Sequence, residues 1–283
     1  MTTPVQQQPI GVFDSGMGGL TVLRQLKKLL PHESFIYLGD TARLPYGTKS
    51  RETVIRYAVQ NTKLLIEKNI KLLVVACNTV SSVALPELKQ HYPNIPIIGV
   101  LEPGAQAAVA ATRNHRILVL ATETTINTGG YQRVIKNLDP NATVMTKGCA
   151  VLVALAEEGW VNNSVAKAAI NEYLLSIKHH DGKYDCVVLG CTHFPVFADL
   201  LREMLNNKVN IIDSAQSTAA VVEQLLMKLQ LKALVPSVTR ETQFFVTDSP
   251  ERFMRVGELF LNHKINPDSV ALVDHQQVNS FQT

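Results

Sequence analysis

The sequence predicts an α/β fold of two similar halves, each a mostly parallel sheet flanked by helices, with a cleft between them. Three observations predict it. First, two stretches look like versions of each other, Leu72-Leu73-Val74-Val75-Ala76-Cys77-Asn78-Thr79 and Cys186-Val187-Val188-Leu189-Gly190-Cys191-Thr192-His193. Each is an apolar β-type run, then a small residue, a cysteine and two polar residues, and an unbroken Val/Leu run suits a strand buried on both faces. Second, such runs alternate with helical patterns, the order of a parallel sheet. Third, Thr122 precedes Cys191 by 69 residues, close to the 63 that separate Asp14 from Cys77, which supports an internal duplication. Ligands of open α/β sheets bind at the carboxyl ends of strands. The two cysteines, 114 residues apart, are therefore expected to offer two thiols to one cleft.

Ile10-Gly11-Val12-Phe13 reads as the first strand, and Asp14-Ser15-Gly16-Met17-Gly18-Gly19 as a glycine-rich turn into a helix over about 20–30 that Pro31 stops. Met17 stands where a phosphate loop needs Gly-Lys, and the third glycine of a dinucleotide fingerprint is missing, so both nucleotide readings fail on spacing. Two readings of the turn stay open. It is either a loop whose N–H groups hold a carboxylate beside Asp14 and Ser15, or a plain tight βα connection. Phe35-Ile36-Tyr37-Leu38 is the second strand, and the loop from Gly39 to Gly47 after it is of the long, constrained kind that commonly carries function.

Ser50 is a fitting N-cap for a helix with one face through Val54, Ala58, Asn61 and Leu65. The Cys77 strand follows, then a helix from after Thr79 to about His91, a Pro93-Asn94-Ile95-Pro96 break, a short strand Ile97-Ile98-Gly99-Val100 and an Ala-rich helix begun by Glu102-Pro103-Gly104. The chain is expected to cross into its second half here. That half restarts with Arg116-Ile117-Leu118-Val119-Leu120-Ala121 and the hydroxyl-rich Thr122-Glu123-Thr124-Thr125, followed by a helix around 131–137. A loop with Cys149, a segment ending Ala156-Glu157-Glu158-Gly159-Trp160 and a helix over about 164–178 lead to the Cys191 strand. Beyond it come a strand at 209–212, a helix over 214–230, a strand at 243–246 and a helix opened by Asp248-Ser249-Pro250-Glu251, where Pro after Ser is a favoured start.

A chain of 283 residues with 46% hydrophobic and 18% charged residues is long enough for one large or two ordinary domains with a substantial core. The net charge of +3 is spread without a Lys/Arg run, which argues against nucleic acid as the primary ligand. Met1 to Pro9 is polar and Gln-rich, unlike a signal peptide, and no segment keeps about 18 apolar residues together, so no membrane partner is expected and the cytoplasm is the expected compartment. In that compartment the four cysteines are not expected to pair as disulfides.

A cytoplasmic cysteine is most often a small buried hydrophobe, and Cys149 and Cys186 keep that reading. Cys77 and Cys191 depart from it, because each ends an apolar strand and precedes hydrogen-bonding side chains, Asn78 and Thr79 or Thr192 and His193. Zinc competes through Cys186, Cys191 and His193, but there is no Cys-x-x-Cys pair and no evident fourth ligand. A thiol of ordinary pKa, about 8.5, is only partly ionised at neutral pH, so a thiol base needs a neighbour, and Asp14 and His193 are available. Two thiols in matched halves suit a reaction needing a base and an acid on opposite faces of one carbon, which is racemisation. Hydrogen bonds from Ser15, Asn78, Thr79 and Thr192 are placed to stabilise the charge developing on an α-carboxylate.

These residues resemble those of the glutamate racemases, within the aspartate/glutamate racemase superfamily. The resemblance runs through most of the chain. It is carried by Gly11-Val12-Phe13-Asp14-Ser15-Gly16-Met17-Gly18-Gly19-Leu20, Gly39-Asp40-Thr41-Ala42-Arg43-Leu44-Pro45-Tyr46-Gly47, Ala76-Cys77-Asn78-Thr79 and Leu189-Gly190-Cys191-Thr192-His193-Phe194-Pro195 in that order. It implies an isomerase that interconverts L- and D-glutamate without pyridoxal phosphate, metal or nucleotide, supplying D-glutamate for bacterial peptidoglycan. It also implies Cys77 and Cys191 as catalytic residues assisted by Asp14 and His193. Substrate contacts are implied from Asp14, Ser15, Pro45, Tyr46, Gly47, Asn78, Thr79, Thr122, Thr125, Thr192 and His193, with Glu157 behind the histidine. Ala121 and Thr124 stand where relatives often have glycine, and Ala150 and Ala154 where they often have proline. The implied fold is two pseudo-symmetric domains, 1–98 plus 209–283 and 99–208, with a homodimer as the expected assembly. A related two-cysteine racemase of aspartate or another amino acid is the nearest alternative; a two-domain amino-acid binding protein is one from another class.

Overall fold

The computed structural model describes residues 4–177, 183–233 and 241–274. The expected termini, 1–3 and 275–283, and the expected end of one helix at Lys178 lie outside the described residues. Among the described residues ten strands, β1 (Ile10–Asp14), β2 (Phe35–Gly39), β3 (Leu72–Val75), β4 (Ile97–Gly99), β5 (Arg116–Ala121), β6 (Thr143–Gly148), β7 (Cys186–Gly190), β8 (Asn210–Asp213), β9 (Gln243–Val246) and β10 (Val270–Leu272), form two sheets. The first sheet has the order β10-β9-β2-β1-β3-β4 and the second β6-β5-β7-β8, and every pairing is parallel.

Within these orders β2-β1-β3-β4 and β6-β5-β7-β8 are the same arrangement, with β1 answering to β5 and β3 to β7. The duplication read from spacing is therefore also a duplication of topology. Residues 209–212 were expected with the first unit, yet β8 pairs with β7 from Cys186↔Asn210 to Leu189↔Asp213 and completes the second sheet, as β4 completes the first. Only β9 and β10 return, joining the first sheet alongside β2.

The twelve helices among the described residues are α1 (Leu20–Leu29), α2 (Arg51–Ile66), α3 (Asn78–Val83), α4 (Leu85–His91), α5 (Leu101–Ala111), α6 (Glu123–Asn127), α7 (Gly130–Leu138), α8 (Ala150–Glu157), α9 (Ser164–Leu175), α10 (Ala198–Met204), α11 (Ser214–Lys228) and α12 (Pro250–Leu261). Alternate residues of the central strands face opposite layers, as a pleated strand requires. Ile10, Val12, Leu72 and Val74 share an apolar cluster with Leu20, Leu23 and Leu26 of α1, while Phe13, Leu73 and Val75 share one with Val54, Ala58 and Leu65 of α2. Each such fully buried side chain stabilises the fold by roughly 1.5–3 kcal/mol. The Ser50 side chain accepts from Thr53 N at 3.3 Å, the cap expected of it.

The single helix expected up to His91 is two, α3 and α4, parted at Ala84. Pro86, in the first turn of α4, has no N–H to give to a continuous ladder. Among the described residues no helix is long and apolar enough to cross a membrane.

Candidate active site

The residues singled out in the sequence arrive together because they follow the four equivalent central strands. Asp14 ends β1, Cys77 follows β3, Thr122 follows β5 and Cys191 follows β7. Parallel strands put all four carboxyl ends on one side of their sheets, and the two sheets turn those sides toward a shared cavity of about 20 Å3. Both thiols line it, with Ser15, Asn78 and Thr79 from the first half and Thr122, Glu157, Thr192 and His193 from the second. Pro45, Tyr46 and Gly47 also line it. Asp14 and Thr125 do not face it directly; they lie immediately behind, 0% and 1% exposed.

Around Cys77 the chain leaves the strand in an extended conformation and enters α3, so its thiol points at the start of that helix. Cys77 Sγ donates to Ser15 Oγ at 3.4 Å. Burial pushes the thiol up to about 12, the Asp14 carboxylate pushes in the same direction, and the hydrogen bond with Ser15 and the Val80 N–H oppose them. Asp14 accepts from Gly16 N at 3.0 Å and from Thr192 Oγ1 at 3.4 Å. Its burial raises its pKa above the ordinary 3.8, against the pull of the His193 charge and the Gly19 and Gly16 N–H groups. A protonated thiol thus sits beside a carboxylate that holds a proton more readily than usual.

Cys191 has different company. Its Sγ lies 3.7 Å from His193 Nδ1, the ring's Nε2 lies 3.2 Å from Glu157 Oε1, and Arg252 Nη2 of α12 donates to Glu157 Oε2 at 3.1 Å. The Phe260 ring meets the imidazole edge-on at 5.2 Å and 80°. Burial alone would lower the histidine's pKa, but the hydrogen bonds to Cys191 and Glu157 outweigh it and raise it to about 10. These partners accordingly favour the protonated form of the ring. Arg252 carried no signal in the sequence, since it is an exposed-face residue of an amphipathic helix; only the tertiary fold brings α12 to α8.

The remaining contacts hold the walls. Thr79, Thr122 and Thr125 are hydrogen-bonded as a triangle with sides of 3.0, 3.2 and 2.9 Å. Asp40, Arg43 and Asn61 fix the Tyr46 loop: Tyr46 bonds to Asp40, Arg43 Nε donates to Asp40 Oδ2 at 2.7 Å, and Asn61 Nδ2 donates to Asp40 and Tyr46 at 3.0 Å each. Cys186 begins β7 and Cys191 follows its end, roughly 16 Å along an extended strand, so Cys186 does not converge with Cys191 and His193 on a metal. Cys186 and Cys149 are buried in the apolar core.

The family described as Asp/Glu/Hydantoin racemase matches residues 10–222. A glutamate racemase of Geobacter metallireducens is 46% identical over 257 residues, covering 90% of this chain and 93% of that protein. Among solved structures, the glutamate racemase of Francisella tularensis in complex with D-glutamate superimposes with a TM-score of 0.88 at 35% identity, covering 96% of this chain and 99% of that one. The glutamate racemase of Thermus thermophilus in complex with β-chloro-D-alanine gives 0.85 at 36% identity, with coverage of 96% and 99%. The chain belongs to the Asp/Glu/hydantoin racemase family, and its similarity within that family is to the glutamate racemases.

Proposed function

We propose that the protein is a glutamate racemase that interconverts L- and D-glutamate by proton transfer between two thiols, and that it supplies D-glutamate for peptidoglycan synthesis. The observation that carries this reading is the pair Cys77 and Cys191, placed at equivalent strand ends of the two halves, lining one cavity and each backed by its own acid–base group. In the L-to-D direction Cys191 as thiolate takes the α-proton, with the His193 cation beside it favouring the negative sulfur. The electron pair left on Cα delocalises into the α-carboxylate, where hydrogen bonds from Ser15, Asn78, Thr79 and Thr192 stabilise it. Cys77 as thiol then gives its proton to the opposite face. The D-to-L direction exchanges the roles, with Asp14 taking the Cys77 proton to make that thiolate.

Thr122, Thr125, Pro45, Tyr46 and Gly47 shape the walls in this reading, and Glu157 with Arg252 holds the histidine. The halves are proposed to divide after β8, with β9 and β10 returning to the first; action in the cytoplasm as a homodimer belongs to the same proposal and rests on the family resemblance.

The test is incubation with L- or D-glutamate in D2O with a reductant and no added cofactor, followed by chiral chromatography and mass spectrometry. Inversion with one solvent deuteron gained at Cα is expected, and Cys77→Ala or Cys191→Ala should lower it by about 10²–10⁴-fold or more. Glutamate bound but neither inverted nor labelled would make the protein a binder, and faster turnover of aspartate would move it to a neighbouring racemase.

A further inference from the structure

Asn78 opens α3, is 2% exposed and lines the cavity. Its two polar atoms are treated differently. Oδ1 accepts a hydrogen bond from the Tyr131 hydroxyl at 2.7 Å, whereas Nδ2 is buried with no hydrogen-bond partner among the described residues. A buried amide N–H without an acceptor is costly, so something must hold the amide in this orientation.

Tyr131 belongs to α7 of the other half and is 1% exposed. Two glycines make its socket: a Cβ at Gly104 would stand 3.2 Å from the hydroxyl, and a Cβ at Gly190 3.1 Å from Cε2. At either position a side chain would press on the ring and require it to give by a few tenths of an ångström. Ser214, the first residue of α11, lies beside the same phenol. The phenol's own proton goes to Asn78 Oδ1.

We infer that Tyr131 is a positioning residue that fixes the polarity of the Asn78 amide, turning its carbonyl away from the cavity and presenting its N–H2 to a carboxylate oxygen of the substrate. This rests on the glutamate reading above. A flipped amide would set a carbonyl oxygen against the anionic substrate, and a free one would spend part of its time so. Because Asn78 comes from one half and Tyr131 from the other, the donor is oriented only where the two halves meet.

The experiment is a double-mutant cycle of Tyr131→Phe and Asn78→Ala, with kcat and KM measured for both enantiomers of glutamate. Tyr131→Phe keeps the ring and removes only the hydroxyl. It is expected to lower kcat/KM about tenfold for L- and D-glutamate alike, through kcat as well as KM, because the amide N–H2 serves the carboxylate both before and during proton transfer. In the Asn78→Ala background the same substitution should change kcat/KM by less than about twofold. An unchanged kcat/KM in Tyr131→Phe, or an equal fall in both backgrounds, overturns the inference; the second outcome would mean a packing role. Should Tyr131→Phe not fold, Tyr131→His is read in the same cycle: a fall in kcat/KM that disappears in the Asn78→Ala background supports the inference, and any other result overturns it. Failure of the glutamate reading itself would appear in the unsubstituted enzyme, before any variant is compared.

Discussion

Cys77 and Cys191 stand in unlike surroundings although the strands that lead to them are topological equivalents. The first thiol has a buried carboxylate behind it and the second a buried imidazole. If the thiols face opposite sides of Cα, each enantiomer presents its proton to one of them, and the resemblance assigns D-glutamate to Cys77 and L-glutamate to Cys191. Asp14→Asn should then slow deprotonation of D-glutamate more, and His193→Asn that of L-glutamate. Net rates are tied together by the equilibrium, so primary isotope effects with α-deuterated D- and L-glutamate are the measurement. An unchanged pair of isotope effects in both variants would sink the assignment. The histidine also links the site to stability. Its value of about 10 in the fold exceeds its ordinary 6.5, so the fold favours the protonated ring. That stabilisation is complete below pH 6.5 and is lost as pH rises toward 10. The gap in melting temperature between the parent and His193→Gln should therefore be widest below pH 6.5 and shrink by pH 10; a constant gap in thermal scans across that range would contradict it.

Between elements, the contact that brings Asp14 and His193 into one field is the approach of the β1–α1 turn to the turn after β7. Thr21 Oγ1 donates to Thr192 O at 3.2 Å there, and a Cβ on Gly18 would stand 2.5 Å from Thr192 Oγ1 and 2.6 Å from His193 Nδ1. Gly18→Ala should therefore displace the histidine more than it harms the fold: overpacking costs about 1–3 kcal/mol, while kcat/KM should fall about a hundredfold or more, since small misplacements of acid–base groups are expensive. Kinetics with a melting scan check this, and parental activity would show that the turn yields. The glycines of that turn were legible in the sequence, although their role as a close approach to the second half was not, because the partner lies at Thr192 and His193. The central strands were legible for a physical reason: burial on both faces forces unbroken runs such as Leu72-Leu73-Val74-Val75. The carboxyl ends of those strands were legible too, because hydroxyl, amide and thiol groups interrupt the apolar pattern there. Arg252 and Tyr131 carry no local signal of their roles, because their partners Glu157 and Asn78 reach them only through the tertiary fold. The membership of β8 was equally hidden, since an edge strand's local sequence does not say which sheet it joins.

Across the whole molecule, the two halves meet on both sides of a cavity of about 20 Å3, room for little more than one water and far too little for glutamate. On the racemase reading, parting of the halves is the expected route of substrate entry. The halves share an apolar cluster that includes Leu20 and Val74 with Leu120 and Phe194, and polar contacts join their rims: Thr124 Oγ1 donates to Gly47 O at 2.9 Å and Lys49 O at 3.1 Å, Arg252 reaches Glu157 at 3.1 Å, and Ser82 Oγ is hydrogen-bonded to Thr128 Oγ1. Such contacts exchange readily for water, which suits a boundary that opens. The three contacts made by α6 and the residue after it, at Thr124 and Thr128, lie on that boundary. The Ser82–Thr128 pair lends itself to a reversible lock, because touching Oγ atoms are compatible with the Cβ separation of about 3.5–4.5 Å that a disulfide needs. The four native cysteines are unpaired and buried, so mild oxidation of Ser82→Cys/Thr128→Cys should address the new pair first. Oxidised protein, with the crosslink verified by mass spectrometry, should turn over glutamate at least about tenfold more slowly than its reduced form, since lid and domain opening commonly limit such enzymes. A thiol reductant should restore the rate, while the parent treated identically keeps its activity throughout. Full crosslinking with undiminished turnover would mean that substrate enters without moving α6 away from α3.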